Sequence, residues 1–142
     1  MRWATSPASS AAPAAGIFLR DQVQCRFAGH AAILGEATPG LIPLIETVRG
    51  LRNADAIGAC PAVRALMFGG GDFSAELGVK LAWEPLLAAR CALVMSCATN
   101  RIAAIDVPFI DLADDVGLEA ECRAAKDLGF VAKAAIHPRQ IA

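Results

Sequence analysis

After Pro39 the chain alternates short apolar runs with longer stretches of helical character. Four runs stand out: GLIPLIE ending at Glu46, VRALMFGGGD ending at Asp72, NRIAAID ending at Asp106, and FVAKAAIHP, in which His137 follows the apolar residues. Each is rich in Val, Ile, Leu or Ala and closes on a polar residue. Apolar runs of this length read as buried strands. Between them, GLRNADAIGA places apolar residues at Leu51, Ala54 and Ile57. EPLLAARCALVMSCAT is apolar on most faces, and its Pro85 is acceptable in a first helical turn. DDVGLEAECRAAKDLG has acids early, Lys126 late and Gly129 as a stop, which suits the helix dipole and a glycine C-cap. Strands alternating with helices of this size predict βαβ units and a parallel sheet.

The run ends lie 26, 34 and 31 residues apart (46 to 72, 72 to 106, 106 to 137). A (β/α)8 barrel of about 250 residues has roughly 31 per unit. An open, doubly wound sheet has similar spacing. The polar residue at the carboxyl end of every run favours the barrel, because such barrels carry their chemistry there. The chain therefore reads as α/β, half of a (β/α)8 TIM barrel of about four βα units. The partial barrel domain spans residues 39–142, and residues 1–38 form a low-complexity or irregular segment. Within that segment GIFLRDQVQCRFAGHAAILGEAT supports only one weak helix or strand. An isolated half-barrel would leave two sheet edges unpaired, which predicts self-association or completion by another half.

Composition narrows the function. Of the 142 residues 56% are hydrophobic and 19% charged, and the formal net charge is -1, so there is no basic footprint for a nucleic acid. No apolar run reaches the roughly 20 residues that span a bilayer. The longest candidate, LLAARCALVMSCA, is interrupted by Arg90 and reads as a buried helix. Five cysteines, odd in number and without a CxxC pair, argue against a disulfide framework or a zinc site and for reduced thiols in the cytoplasm. The N-terminal MRWATSPASSAAPAAG lacks the apolar core of a secretory signal, although its lack of acids keeps a transit peptide open.

Glu46 and Asp72 are the candidate metal ligands. In a barrel they sit at the carboxyl ends of neighbouring strands, and two protein oxygens completed by water and substrate is a usual way to hold Mg2+. The glycines before Asp72 would let backbone N–H groups approach a small anion. The alternatives are structural: Asp72 as N-cap of FSAEL, with Glu76 close behind, and Glu46 as a helix-leading acid. A phosphate cradle is excluded, since neither G-x-x-x-x-G-K-[ST] nor G-x-G-x-x-G occurs. Asp106, Asp111, Asp114 and Asp115 read mainly as solvated or capping acids, with Asp106 alone at a strand end. His137 is either an acid–base group or a structural residue. His30 is assigned no role.

Taken in order, LIPLIETVRGLRNADAI, GGGDFSAELG, RIAAID and DLGFVAKAAIHPRQI resemble the citrate lyase beta-subunit branch of the HpcH/HpaI aldolase family. The resemblance covers residues 39–142 and corresponds to the carboxyl-terminal half of that family's barrel. It implies Mg2+-dependent lyase or aldolase chemistry at a carbon–carbon bond, with Mn2+ as an alternative ion. The implied substrates are 3-hydroxyacyl thioesters of the citryl-, malyl- or citramalyl-CoA type, or related oxo-acids. It also implies a homo-oligomer. Glu46 maps onto the glutamate of the family's metal site and Asp72 onto its second ligand, with the amides of Gly71 and Asp72 holding the oxo-acid carboxylate. The arginine that neutralises the enolate comes from an early strand and has no counterpart here, so no catalytic residue is assigned. The family's C-terminal extension is likewise unmatched. Asn100 stands where a glycine usually ends the helix, a position that tolerates Asn. The alternative is a non-catalytic fragment or interaction module that needs a separate first half of the barrel.

Overall fold

The computed structural model describes residues 17–20, as backbone, and residues 40–141. Cys25, His30 and the candidate transit segment lie outside the described residues. Five parallel strands form one sheet: β1 (Ile17–Arg20), β2 (Leu41–Ile45), β3 (Ala65–Phe68), β4 (Ala103–Asp106) and β5 (Ala132–Lys133). Their spatial order is their sequence order. A doubly wound sheet reverses strand order at a switch point, and no reversal occurs among the described strands. The one weak helix or strand expected in GIFLRDQVQCRFAGHAAILGEAT includes this short strand, β1, with Ile17 opposite Leu41 and Arg20 opposite Leu44.

Between β2 and β3 lie two short helices, α1 (Val48–Arg52) and α2 (Ala54–Gly58). Thr47 caps α1 by accepting a hydrogen bond from the Gly50 N–H at 2.9 Å. Between β3 and β4 come α3 (Gly70–Leu77) and the long α4 (Trp83–Asn100). Helix α5 (Asp115–Leu128) leads into β5, and a short 3-10 helix follows at Pro138–Ile141. The acid-first, glycine-last pattern of α5 is realised: Asp114 is the N-cap, accepting from the Gly117 N–H at 2.8 Å, and Gly129 ends the helix at φ 112°.

One helix end differs from expectation. Asn100 is the last residue of α4, and Arg101 takes the left-handed position at φ 55°. The Asn100 amide explains the exchange, because its Nδ2 donates to the carbonyls of Ser96 (2.9 Å) and Asp55 (3.1 Å) and holds the residue helical.

The two faces of the sheet differ. Leu41, Ile45, Leu66, Phe68 and Ala104 are buried against Ile57, Leu86, Leu93 and Cys97 of the helices. Residues of the opposite parity, Ile42, Leu44, Met67 and Ile105, are only partly covered. The strand period of two makes this split. It also assigns Asp106, in register one step beyond the Met67–Ile105 pair, to the helix side with Phe68.

Candidate metal and oxo-acid site

The two limbs that carry Glu46 and Asp72 are joined by three observations. The Gly69 N–H donates to the Ile45 carbonyl at 2.8 Å, which sets the chain after β3 beside the chain after β2. A Cβ added to Gly69 would lie 2.5 Å from Glu46 Cβ and 3.1 Å from its Cα, so only glycine fits there. Farther along, the Val48 N–H donates to Glu76 Oε2 at 3.0 Å. Asp72 and Glu76 are one helical turn apart and share a face of α3. The face that carries Asp72 is therefore the face tethered to the segment Glu46–Val48. Glu46 is buried at 7% exposure, whereas Asp72 is exposed.

The glycine run is not a loop. Gly69 is the N-cap of α3, and Gly70, Gly71 and Asp72 form its first turn. This corrects the alternative that Asp72 caps the helix. None of the three glycines has a positive φ, so backbone freedom does not explain them. Gly69 yields to Glu46. Gly70 faces Leu81, Phe68 and Val107, all within 3.3 Å of an added Cβ. Gly71 meets nothing within 4 Å. First-turn N–H groups have no acceptor within their own helix, and the glycine N-cap offers no side chain to them. A helix start attracts small anions through its N–H groups and dipole, whereas the exposed Asp72 carboxylate beside it repels them unless a cation lies between.

The donor set suits a hard divalent ion. Glu46 and Asp72 supply only carboxylate oxygens, and Mg2+ is usually held by one or two carboxylates with water and substrate completing the shell. Among the described residues no group of three or more His, Cys, Asp or Glu could hold a metal, so an all-protein cage is excluded there.

Asp106 does not join them. Its carboxylate has no exposed surface; Oδ1 accepts from Arg90 Nε at 2.9 Å and Oδ2 from Lys133 Nζ at 2.7 Å. Lys133 also donates to the Val107 carbonyl (2.7 Å) and to Glu121 Oε1 (2.5 Å). The Arg90 guanidinium lies 4.5 Å from the Trp83 ring centroid and 5.4 Å from that of Phe68, a cation–π contact that suits a buried charge. A recess of about 290 Å3 adjoins the cluster, lined by Leu81, Arg90, Val107, Phe109 and Glu121 among others. The expectation that every strand-end polar residue faces the chemistry therefore fails at Asp106. Register parity turns it to the helices, where two cations match it.

The other candidates are structural or exposed. Asp111 accepts from the Ala113 N–H, Asp114 caps α5, and Asp115 pairs with Arg139 at 3.3 Å on the surface. His137 is exposed, and its Nδ1 accepts from the Arg139 N–H at 3.2 Å. The described cysteines Cys60, Cys91, Cys97 and Cys122 are free thiols. Burial pushes the Cys97 thiol up to about 11, and burial also raises Cys122. Neither is poised as a nucleophile. No helix among the described residues is long and apolar enough to cross a membrane.

A family model, HpcH/HpaI aldolase/citrate lyase, matches residues 5–138. The chain belongs to this family. The match begins well before residue 39, where the sequence motifs begin, and it takes in β1. RipC from Yersinia pestis superposes with a TM-score of 0.83 at 42% identity, covering 89% of this chain and 60% of that one. The citrate lyase beta subunit of Mycobacterium tuberculosis, solved with oxaloacetate and magnesium, gives a TM-score of 0.73 at 26% identity, over 89% of this chain and 57% of that one. The L-malyl-CoA/beta-methylmalyl-CoA lyase of Cereibacter sphaeroides is 33% identical over 119 residues, 70% of this chain and 37% of the lyase. The chain thus spans little more than a third of the length of the curated relatives it matches, and its homologues are CoA-thioester lyases.

Proposed function

We propose that this chain forms part of a (β/α)8 barrel and carries the metal half of a divalent-metal-dependent carbon–carbon lyase. The substrate class is a 3-hydroxyacyl-CoA thioester of the malyl, citramalyl or citryl type, or a related oxo-acid. The observation that carries this reading is the tethering of the Glu46 and Asp72 limbs beside an open glycine turn. The sequential strand order and the partly covered inner face support the barrel. The magnesium and oxaloacetate bound to the M. tuberculosis neighbour support the ligand class.

In this reading Glu46 and Asp72 supply two oxygen ligands to Mg2+, or to Mn2+. The ion, when bound, acts as a Lewis acid on the oxygen at the bond being broken. The N–H groups of Gly71 and Asp72 hold the substrate carboxylate, and the missing side chain at Gly71 leaves room for it. Cleavage leaves negative charge on the thioester fragment, which calls for a nearby cation. Arg90 is committed to Asp106 on the other face of the sheet and does not supply that cation. Closing a barrel also needs three strands beyond the five described. We assign both to a complementing half, brought by a second polypeptide or by a further part of a longer one.

The test is cleavage of malyl-CoA and citramalyl-CoA, read as oxo-acid release. The chain is assayed alone and mixed with a separately produced segment that supplies the remaining strands. EDTA-sensitive release in the mixture is expected, with none from the chain alone. Release that persists in EDTA would contradict the metal reading. A second reading, a non-catalytic interaction module, is favoured by the half-exposed apolar face of Ile42, Leu44, Met67 and Ile105. Stable association without any release would select it.

A further inference from the structure

The ion cluster around Asp106 lies directly behind the glycine turn. Lys133 is the link. Its ammonium has three donors, and all three are used: on Asp106, on the Val107 carbonyl and on Glu121. The Val107 carbonyl is thereby fixed by a charge-assisted bond. Val107 is itself buried, and its Cγ1 would lie 3.3 Å from a Cβ at Gly70. The second wall of the same turn is Phe68, whose Cε1 is also 3.3 Å from that position and whose ring sits beneath the Arg90 guanidinium. Two of the three side chains that back Gly70, Val107 and Phe68 but not Leu81, are thus held by members of the cluster. The ladder bonds nearby are few, because β5 is only two residues long.

We propose that Lys133 is a positioning residue for the Gly69–Asp72 turn: it sets Val107 against Gly70 and so fixes the direction of the first-turn N–H groups of α3. Lys133 touches neither the ion nor the oxo-acid. Its part in recognition rests on the reading of the turn given above, but its effect on the turn does not.

The experiment therefore has two readouts. The first is amide hydrogen exchange in the ligand-free chain. It compares Phe73, whose N–H closes the first turn of α3 on the Gly69 carbonyl, with Ile57, whose N–H bonds Asn53 in α2. A general loss of stability lowers both alike. Loss of positioning lowers the protection of Phe73 relative to Ile57, by about tenfold for a local opening of this kind. The variants are Lys133→Met, Lys133→Arg, which retains the charge, and Val107→Ala, which leaves the ion cluster whole. Exposed Glu119→Gln is the control. The expected order is a large relative loss in Lys133→Met, partial recovery in Lys133→Arg, and a loss in Val107→Ala that stands alone should Lys133→Met not fold. An unchanged Phe73 to Ile57 ratio in Val107→Ala and in every Lys133 variant that folds overturns the proposal.

The second readout is calorimetric titration of Mg2+ and then pyruvate into the same variants. Weaker pyruvate binding with Mg2+ binding retained extends the positioning role to the ligand. If the wild-type chain binds no pyruvate while the exchange ratio still falls, the functional reading fails and the positioning role stands.

Discussion

Two carboxylate regions at the carboxyl ends of these strands have opposite fates. Around Asp106 every lone pair that matters is spent inside the molecule: two buried cations, a shared glutamate and an aromatic floor enclose it. Around Asp72 the setting is open instead. The chain removes side chains at three consecutive positions, leaves a carboxylate exposed at a helix start, and ties the helix to the neighbouring limb through Glu76. The contrast teaches how two acids at neighbouring strand tips come to face opposite ways. Position at a strand tip is common to Glu46 and Asp106; the face of the sheet separates them.

The comparison is most strongly tested at Asp106. Asp106→Ala leaves Arg90 and Lys133 buried without their carboxylate, and removing one partner from such a pair costs about 3–5 kcal/mol. Urea unfolding measures this, and a cost below about 1 kcal/mol would mean that the cluster is not a structural keystone.

The glycines give the next effect. Gly69→Ala forces a methyl into Glu46 and should destabilise by about 1–3 kcal/mol, as overpacking does. Gly71→Ala meets open space on a helix and should stabilise by up to about 1 kcal/mol, while weakening oxo-acid binding. Equal effects at the two positions would break the distinction between a packing glycine and a recognition glycine.

The smallest effect on stability is a pH dependence that belongs to the core alone. The Cys97 thiol is raised by burial from 9.0 to about 11. Between those values the unfolded chain releases a proton that the folded chain keeps. Its contribution is therefore complete below pH 9 and lost as pH rises toward 11. Cys122, also raised, acts in the same sense. Cys97→Ala should flatten the decline, measured as unfolding midpoint against pH; an unaltered slope would show that Cys97 does not contribute.

Much of this was legible in the sequence because period and capping are local properties. The acid-first, Gly129-last pattern of α5 and the apolar length of α4 appear where the pattern put them. The motif order nominated Glu46 and Asp72, and the proposed site rests on that nomination. Four things were not legible. Strand β1 is too short to show a period, so the sequence left helix and strand open there and the pairing with β2 decides it. Arg90 looked like a break in an apolar helix and Lys133 drew no reading of its own, because the carboxylates that accept them are distant in sequence. The side-chain direction at Asp106 depends on register, which the pairing sets and the residue type does not. Glu76 was visible only as an acid near a helix start; its role as a tether needed the fold.

The account rests on one claim, that Glu46 and Asp72 share a divalent ion. Calorimetric titration of Mg2+ into the wild-type chain and into Glu46→Gln and Asp72→Asn tests it directly. One-site binding in the wild type that falls at least tenfold in each variant, about 1.4 kcal/mol or more, with folding intact, is the predicted result. Equal Mg2+ binding in all three proteins would contradict it.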